Sequence, residues 1–387
     1  MADNLAMVLL GGGRISPNIA GVLSLRPRVV YYLISEDQPH TYDNMRQVLD
    51  RIDWVKSDTP MISVPAHNIP AIKKACRSIL EQDQRSPFVF NITCATKTMA
   101  VAAYEVAKDL GHRVIYVDSF RNRIVDWTSP EREEELIGID LVTYLSNFGR
   151  TPQPKFKFER LSISRDNAVE AARYLAQAGT EAIKLLLLLR QTGWRKKQPR
   201  RHLRQSLSAE QGAILSRLSA FGLIENLEMT HRGFVAYTIS NPMHWNFIKG
   251  DWLEVFVFSE AQECFKRDDT PLFDDLALSL EMPTDQTVRE IDFAGLYGWQ
   301  LIWCSCKATN DPYNTDHLDE ISAMTNMIGG RYCTPIYVTT GSKYDNKYPI
   351  FKQRAHEARI VVVTREELSG IREILQIEAT KPTYPRI

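Results

Sequence analysis

The chain has no surplus of charge of either sign: 47 Lys plus Arg balance 47 Asp plus Glu over 387 residues. A formal net charge of zero excludes a protein that holds nucleic acid by bulk charge, so any basic surface must be local. The densest basic run, residues 195–204, could contact phosphates, but such a run is more often simply a solvated face. Long apolar runs are also missing. Leu185–Leu189 is only five residues between Lys184 and Arg190, far too short to cross a bilayer. With no signal-peptide pattern at the start, the expected location is the cytoplasm, with no membrane partner. The six cysteines show neither a metal-ligand spacing nor a secreted disulfide framework. Cys304 and Cys306 are read as small buried hydrophobes. GxGxxG and GxxxxGKS/T are both absent from the glycine-rich loop near the start, which disfavours dinucleotide and P-loop nucleotide sites.

What is present is length enough for two or three domains, with a regular alternation at the start. Strand-like runs at 6–10, 29–35, 62–65, 88–93 and 114–118 alternate with helical ones at 42–55, 69–81 and 97–110. That order predicts an α/β domain with a parallel sheet covered by helices on both faces. Ligands of such sheets sit at the carboxyl ends of the strands. Two polar loops fall there. The first runs Gly11-Gly12-Gly13-Arg14-Ile15-Ser16-Pro17-Asn18, and the second Asn91-Ile92-Thr93-Cys94-Ala95-Thr96-Lys97-Thr98-Met99. Together they offer backbone N–H groups, hydroxyls and one cation, a set suited to phosphodiester or ribose groups; a tight turn and a helix cap without ligand is the plainer alternative.

A composition shift across residues 148–154 reads as a linker. Beyond it, a helical stretch at 168–190, a capped helix start at Ser208-Ala209-Glu210-Gln211 and a strand at 234–239 suggest a small winged-helix-like module. From Gly250 onward the expected order is helix 251–264, strand 276–280, a hairpin of strands 288–293 and 300–307, helix 318–328, and strands 335–339 and 360–364. The expected domains are therefore 1–148, 149–249 and 250–387. In the hairpin, Trp303, Ser305 and Lys307 share one side of the strand while Ile302, Cys304 and Cys306 share the other. A lysine ending an apolar strand, with Asp292 on the neighbouring strand, is costly to bury unless amine and acid share a task. Metal-assisted hydrolysis is one such task, with the carboxylate holding a divalent cation and the lysine steadying water or developing charge.

These motifs bring in a resemblance. Asn91, Thr93, Thr96, Lys97 and Met99 fit the pattern Asn-x-Thr-Gly-Gly-Thr-Lys-x-Met of CRISPR-associated Rossmann-fold (CARF) domains, with Cys94 and Ala95 in place of the two glycines. Trp252-Leu253-Glu254, Ile291-Asp292, Cys306-Lys307 and Gly329-Gly330 resemble the restriction-endonuclease-like, PD-(D/E)xK nuclease joined to such domains in type III CRISPR antiviral defence. The resemblance covers nearly the whole chain. It implies a homodimer that binds a cyclic oligoadenylate, with cyclic tetra-adenylate the expected activator, through Gly11, Gly12, Gly13, Ser16, Asn18, Asn91, Thr93, Cys94, Ala95, Thr96, Lys97 and Met99. It further implies a Mg²⁺- or Mn²⁺-dependent nuclease acting on DNA or RNA.

One departure stands out: Ser305 occupies the position of the family's second metal-binding glutamate, and serine is a poor ligand for a hard cation. Glu320, on the next helix, is the expected substitute, so that Asp292, Glu320 and also Glu254 would hold the metal while Lys307 assists the attacking water. A catalytically silent sensor acting through DNA or protein binding is the alternative.

Overall fold

A computed structural model describes residues 4–83, 86–129, 131–149, 151–193, 199–203, 205–229, 234–283 and 288–384. The basic run at 195–204 falls partly outside them, with only 199–203 described. The chain divides into two compact units, one of Met1–Thr151 with Gly298–Gln300, the other of Pro152–Tyr297 with Leu301–Ile387.

In the first unit, β1 (Ala6–Gly11) and β2 (Val29–Ser35) are buried at every position, the pattern of parallel strands covered on both faces. They join β3 (Met61–Val64), β4 (Phe88–Asn91) and β5 (Arg113–Asp118) in parallel register. Two antiparallel strands, β6 (Arg123–Asp126) and β7 (Glu133–Glu135), extend the sheet, giving the order β3-β2-β1-β4-β5-β6-β7. The winding reverses between β1 and β4. Helices α1 (Ser16–Leu25), α2 (His40–Leu49), α3 (Ile69–Gln82), α4 (Lys97–Asp109) and α5 (Leu141–Ser146) complete the α/β expectation. Two of them start where the sequence says they should. Asn68 accepts the Ala71 N–H at 3.1 Å, and Thr96 accepts the Met99 N–H at 3.2 Å. Trp299, separated from Thr151 by almost the length of another domain, completes this unit. Its side chain is buried and its indole N–H donates to the Ile137 carbonyl at 3.1 Å.

The second unit takes in residues 152–249 of the expected module and, apart from Gly298–Gln300, the expected nuclease region. It opens with β8 (Gln153–Pro154) and the long α6 (Arg165–Gln191), broken at Gly179, whose φ of 55° departs from helical geometry. A small antiparallel sheet of β9 (Arg200–His202), β10 (Glu225–Met229) and β11 (Val235–Thr238) packs with α7 (Ala209–Ala220). Ser208 and Gln211 form the capping box that starts α7. After α8 (Pro242–Asn246) and a single π-helical turn, α9 (Trp252–Gln262) is buried nearly all round. One apolar core joins Leu185, Leu186 and Leu189 of α6, Ile214 and Leu218 of α7, and Leu253, Phe256 and Val257 of α9. That shared core is why the module and the nuclease region fall in one unit rather than two.

The second sheet runs β16-β15-β14-β13-β12-β8, with β12 (Asp275–Pro283), β13 (Val288–Tyr297), β14 (Gln300–Lys307), β15 (Cys333–Thr339) and β16 (Val361–Val363). Strands β14, β15 and β16 are parallel, whereas β12 runs antiparallel to both β13 and β8. β13 extends four residues beyond the expected end at Phe293, so Gly295 lies within the strand and only Gly298 is in the turn. Helices α10 (Asp316–Ile328), α11 (Tyr348–Glu357) and α12 (Ile371–Thr380) fill the remaining positions.

Candidate active site and ligand loops

Alternation along β14 sorts its side chains as predicted. Ile302 and Cys304 enter the core, while the Trp303 indole donates to Thr325 Oγ1 of α10 at 3.3 Å. Lys307 ends the strand half-buried, its carbonyl accepting the Thr339 hydroxyl at 2.9 Å. On the adjacent strand Asp292 is buried, and its Oδ2 accepts the Cys306 N–H at 2.6 Å. Burial pushes the Asp292 carboxyl up to about 6, against the pull of the Lys307 charge.

Asp292 is not isolated. One oxygen from each of Glu254, Glu290 and Asp292 falls within 4.8 Å of the others. Glu254 is forced inward because α9 is apolar on nearly every side. Burial, and then the nearby Asp292 and Asp251 charges, hold its carboxyl well above the usual range. Asp251, one helical turn earlier, is raised chiefly by burial too. Glu290 precedes Asp292 by two positions on the same strand and so shares its face. It accepts the Ser279 hydroxyl at 2.7 Å and pairs with Lys155 Nζ at 2.5 Å.

Ser279 itself is unusual. The β12–β13 register pairs Leu278 with Phe293 and Leu280 with Ile291, which sets Ser279 opposite Asp292, and there its φ is +51°. A left-handed serine costs on the order of 1 kcal/mol and persists only where its surroundings hold it. Here both its hydroxyl and its carbonyl are engaged, the latter by the Lys155 N–H at 2.9 Å.

Ser305 is buried on β14 and adds no carboxylate. Glu320 stands outside the group of three; its side chain is 70% exposed and its Oε2 lies 4.0 Å from His317 Nδ1. His317 stacks on Tyr337, with centroids 6.0 Å apart, and its pKa is lowered by burial and then by the Lys307 charge. Glu290, Asp251, Lys155, Ser279 and His317 are not among the site residues expected from the sequence. Glu290 alone carried a signal, its two-residue offset from Asp292.

In the first unit the two loops meet directly. The Gly12 N–H donates to the Cys94 carbonyl at 2.9 Å, and a Cβ on Gly12 would lie 3.1 Å from the Thr96 nitrogen. The expected ligand residues separate into two sets. Gly11, Ser16, Asn18, Asn91 and Met99 are buried; Asn18 ties the first loop back to β1, and Asn91 ties the two loops together. Asn18 Nδ2 donates to the Leu10 carbonyl at 2.9 Å, and Asn91 Nδ2 donates to the Pro17 carbonyl at 3.0 Å. Asn91 Oδ1 accepts the Thr93 hydroxyl at 2.7 Å, which in turn accepts the Val117 N–H at 2.7 Å. Gly12, Gly13, Thr93, Cys94, Ala95, Thr96 and Lys97 are at least partly open to solvent, at the amino end of α4 where backbone N–H groups favour an anion.

The family model described as "Card1 CARF domain" matches residues 17–143, and that described as "Card1-like, endonuclease domain" matches residues 243–381, together about two thirds of the chain. The chain belongs to the Card1-like CARF endonucleases. The matched ranges of this Card1-like chain contain β2 to β7 with the second loop, and α9 with Glu254, Glu290, Asp292, Lys307 and Glu320. No curated protein matches the chain. Among solved structures, protein VC1899 from Vibrio cholerae has 19% identity and a TM-score of 0.77, with 97% of this chain and 98% of that one covered. Can2 from Sulfobacillus thermosulfidooxidans, solved in complex with cyclic tetra-adenylate, has 20% identity and a TM-score of 0.71, with 97% of each chain covered. A type III CRISPR defence DNA nuclease activated by cyclic oligoadenylate has 15% identity and a TM-score of 0.53, with 86% of this chain and 45% of that one covered. At these identities the three share its fold. No helix among the described residues is long and apolar enough to cross a membrane.

Proposed function

We propose that the chain is a cyclic oligoadenylate-activated, metal-dependent nuclease, with residues 1–148 as the sensor and 250–387 as the nuclease. The observation that carries the reading is the convergence of Glu254, Glu290 and Asp292 beside Lys307, in a region matched by the endonuclease family. The donor set fits Mg²⁺ or Mn²⁺, since all three groups offer hard carboxylate oxygens and their mutual crowding is relieved by a cation. A dication there would polarise a phosphodiester and lower the pKa of water. Asp292, fixed by the Cys306 N–H, and Glu290, fixed by Ser279, keep the carboxylates aimed. Lys307, whose charge reaches Asp292, would set its ammonium against the negative charge that develops on the attacked phosphate. Cyclic tetra-adenylate is the proposed activator, bound by the open residues Gly12, Gly13, Thr93, Cys94, Ala95, Thr96 and Lys97 on a frame set by the buried ones. The active form is a homodimer that cleaves DNA or RNA in the cytoplasm.

Labelled single-stranded DNA, single-stranded RNA and supercoiled plasmid, incubated with Mn²⁺ and cyclic tri-, tetra- or hexa-adenylate, test this directly. Cleavage with the tetra-adenylate and none without it is the expected result. Binding of that ligand with no cleavage in any lane would leave the silent sensor, the reading that Ser305 favours.

Glu290 and Glu320 are rival sources of the third carboxylate. Glu290→Gln is expected to lower Mn²⁺-dependent cleavage at least about tenfold, as loss of a ligand or its supporting shell does. Glu320→Ala is expected to stay within about threefold of the parent, as an exposed surface position would. The reverse order would place the metal beside Glu320.

At the ligand loops, Gly12→Val puts branched carbons against the Thr96 nitrogen, which cannot retreat because it starts α4. Tetra-adenylate binding is expected to weaken about tenfold or more by isothermal calorimetry run below the melting transition, with a melting temperature lowered by the roughly 1–3 kcal/mol that overpacking costs.

A further inference from the structure

The acidic group already contains a cation of its own. Lys155 is absent from the sequence signals that mark the nuclease, and it lies 135 positions from its partner Glu290. Its backbone is fixed at the sheet edge, where β8 pairs with β12 through Leu280–Pro154 and Glu281–Gln153, and the Lys155 N–H donates to the Ser279 carbonyl at 2.9 Å. From that anchor the ammonium reaches Glu290 Oε2 at 2.5 Å. Glu290 Oε1 is already engaged by Ser279 at 2.7 Å, so each carboxylate oxygen has a donor before any metal arrives. The Lys155 charge is felt as well by Asp251, Glu254 and Asp292.

We propose that Lys155 is a built-in counter-cation that competes with the divalent metal for Glu290 and thereby sets the metal affinity of the centre. The proposal rests on the metal site described above. Its physical basis is direct. A dication needs carboxylate lone pairs that the ammonium now holds, and the two positive centres repel each other at a separation of a few ångströms where screening is incomplete. The ammonium also offsets crowding among four carboxylates, Asp251, Glu254, Glu290 and Asp292, when no metal is bound. Metal entry therefore exchanges one cation for another, and Lys155 swings outward, which its half-exposed side chain permits.

The test is Mn²⁺ binding to the full-length protein at pH 8 without nucleic acid, followed by the loss of the free-ion electron paramagnetic resonance signal. Lys155→Met keeps the aliphatic stem and removes the charge, and is expected to bind Mn²⁺ on the order of tenfold more tightly than the parent. Lys155→Arg keeps a cation and is expected to match the parent within about threefold. Measurable parent binding with unchanged or weaker binding by Lys155→Met overturns the proposal while leaving the metal site standing, and would instead make Lys155 a ligand-orienting or substrate-contacting group. Absence of Mn²⁺ binding in the parent and both variants removes the metal site, and this proposal with it.

Discussion

Lys307→Ala is expected to abolish activated cleavage, lowering the rate by about 10²–10³-fold, the usual consequence of removing one preorganised donor to a transition-state charge. The loss should fall on kcat. Lys307 ends β14 with its backbone tied to Thr339, so the truncation disturbs no hydrophobic contact of the core. Metal binding supplies the control. The Lys307 charge opposes the upward push of burial on Asp292, so its removal raises that carboxyl further and lets protons compete better with metal near neutrality. At pH 8 that competition is weaker, and Mn²⁺ should bind Lys307→Ala about as tightly as the parent. A variant that cleaves at the parent rate would end the assignment of Lys307 to the reaction.

The second large effect is expected at Asp292. Asp292→Asn removes the most buried of the three carboxylates and should take cleavage down by at least about a hundredfold, together with most of the stabilisation that Mn²⁺ confers. The pH dependence has a definite sign. In the metal-free fold the Asp292 carboxyl sits at about 6, above its ordinary value of 3.8, so the fold favours the protonated form. Its contribution to stability is complete below the unfolded value and is lost as pH rises through about 6. Metal binding runs the other way, because Glu254 and Asp292 must both give up protons to coordinate. The rise in melting temperature on adding Mn²⁺ is therefore expected to be small at pH 5.5 and large at pH 8 in the parent, and nearly flat in Asp292→Asn. A parent whose response to Mn²⁺ is the same at both pH values would contradict the placement of the metal at Asp292.

Much of the fold is written in apolar alternation, and the exceptions have physical causes. β1 to β5 and α3 to α4 appear where periodic burial and capping residues put them. β7 went unread because Glu133, Glu134 and Glu135 carry no apolar face; they form a strand by pairing with β6, where Arg123 meets Glu133 at 2.6 Å. The two domains expected beyond residue 148 share one core because α6 is long enough to pack against both α7 and α9. At the candidate site, Asp292, Lys307 and Glu254 were legible from their cost of burial and their motifs. Lys155 and Ser279 were not. A half-exposed lysine acquires its role only through a partner far along the chain, and a left-handed serine has no sequence mark, since Gly and Asn are the residues that usually announce that conformation. In the ligand loops the residue types pointed to one site, but Asn18 and Asn91 are spent on holding Leu10 and Pro17, so they shape the loops from beneath.

The residence of Gly298–Gln300 in the first unit sets a timetable for the nascent chain. Gly298 is left-handed, with φ +57°, and a Cβ there would lie 2.5 Å from Asn122 Oδ1, while the Gln300 side chain donates to the Ser119 carbonyl at 3.2 Å. The sensor unit is therefore finished by three residues made long after Thr151 has left the peptidyl-transferase centre. At common synthesis rates that interval is on the order of ten to thirty seconds. Throughout it the Ile137 and Ser119 carbonyls lack the donors that Trp299 and Gln300 bring, so the first unit cannot complete its contacts until the β13–β14 turn has been made.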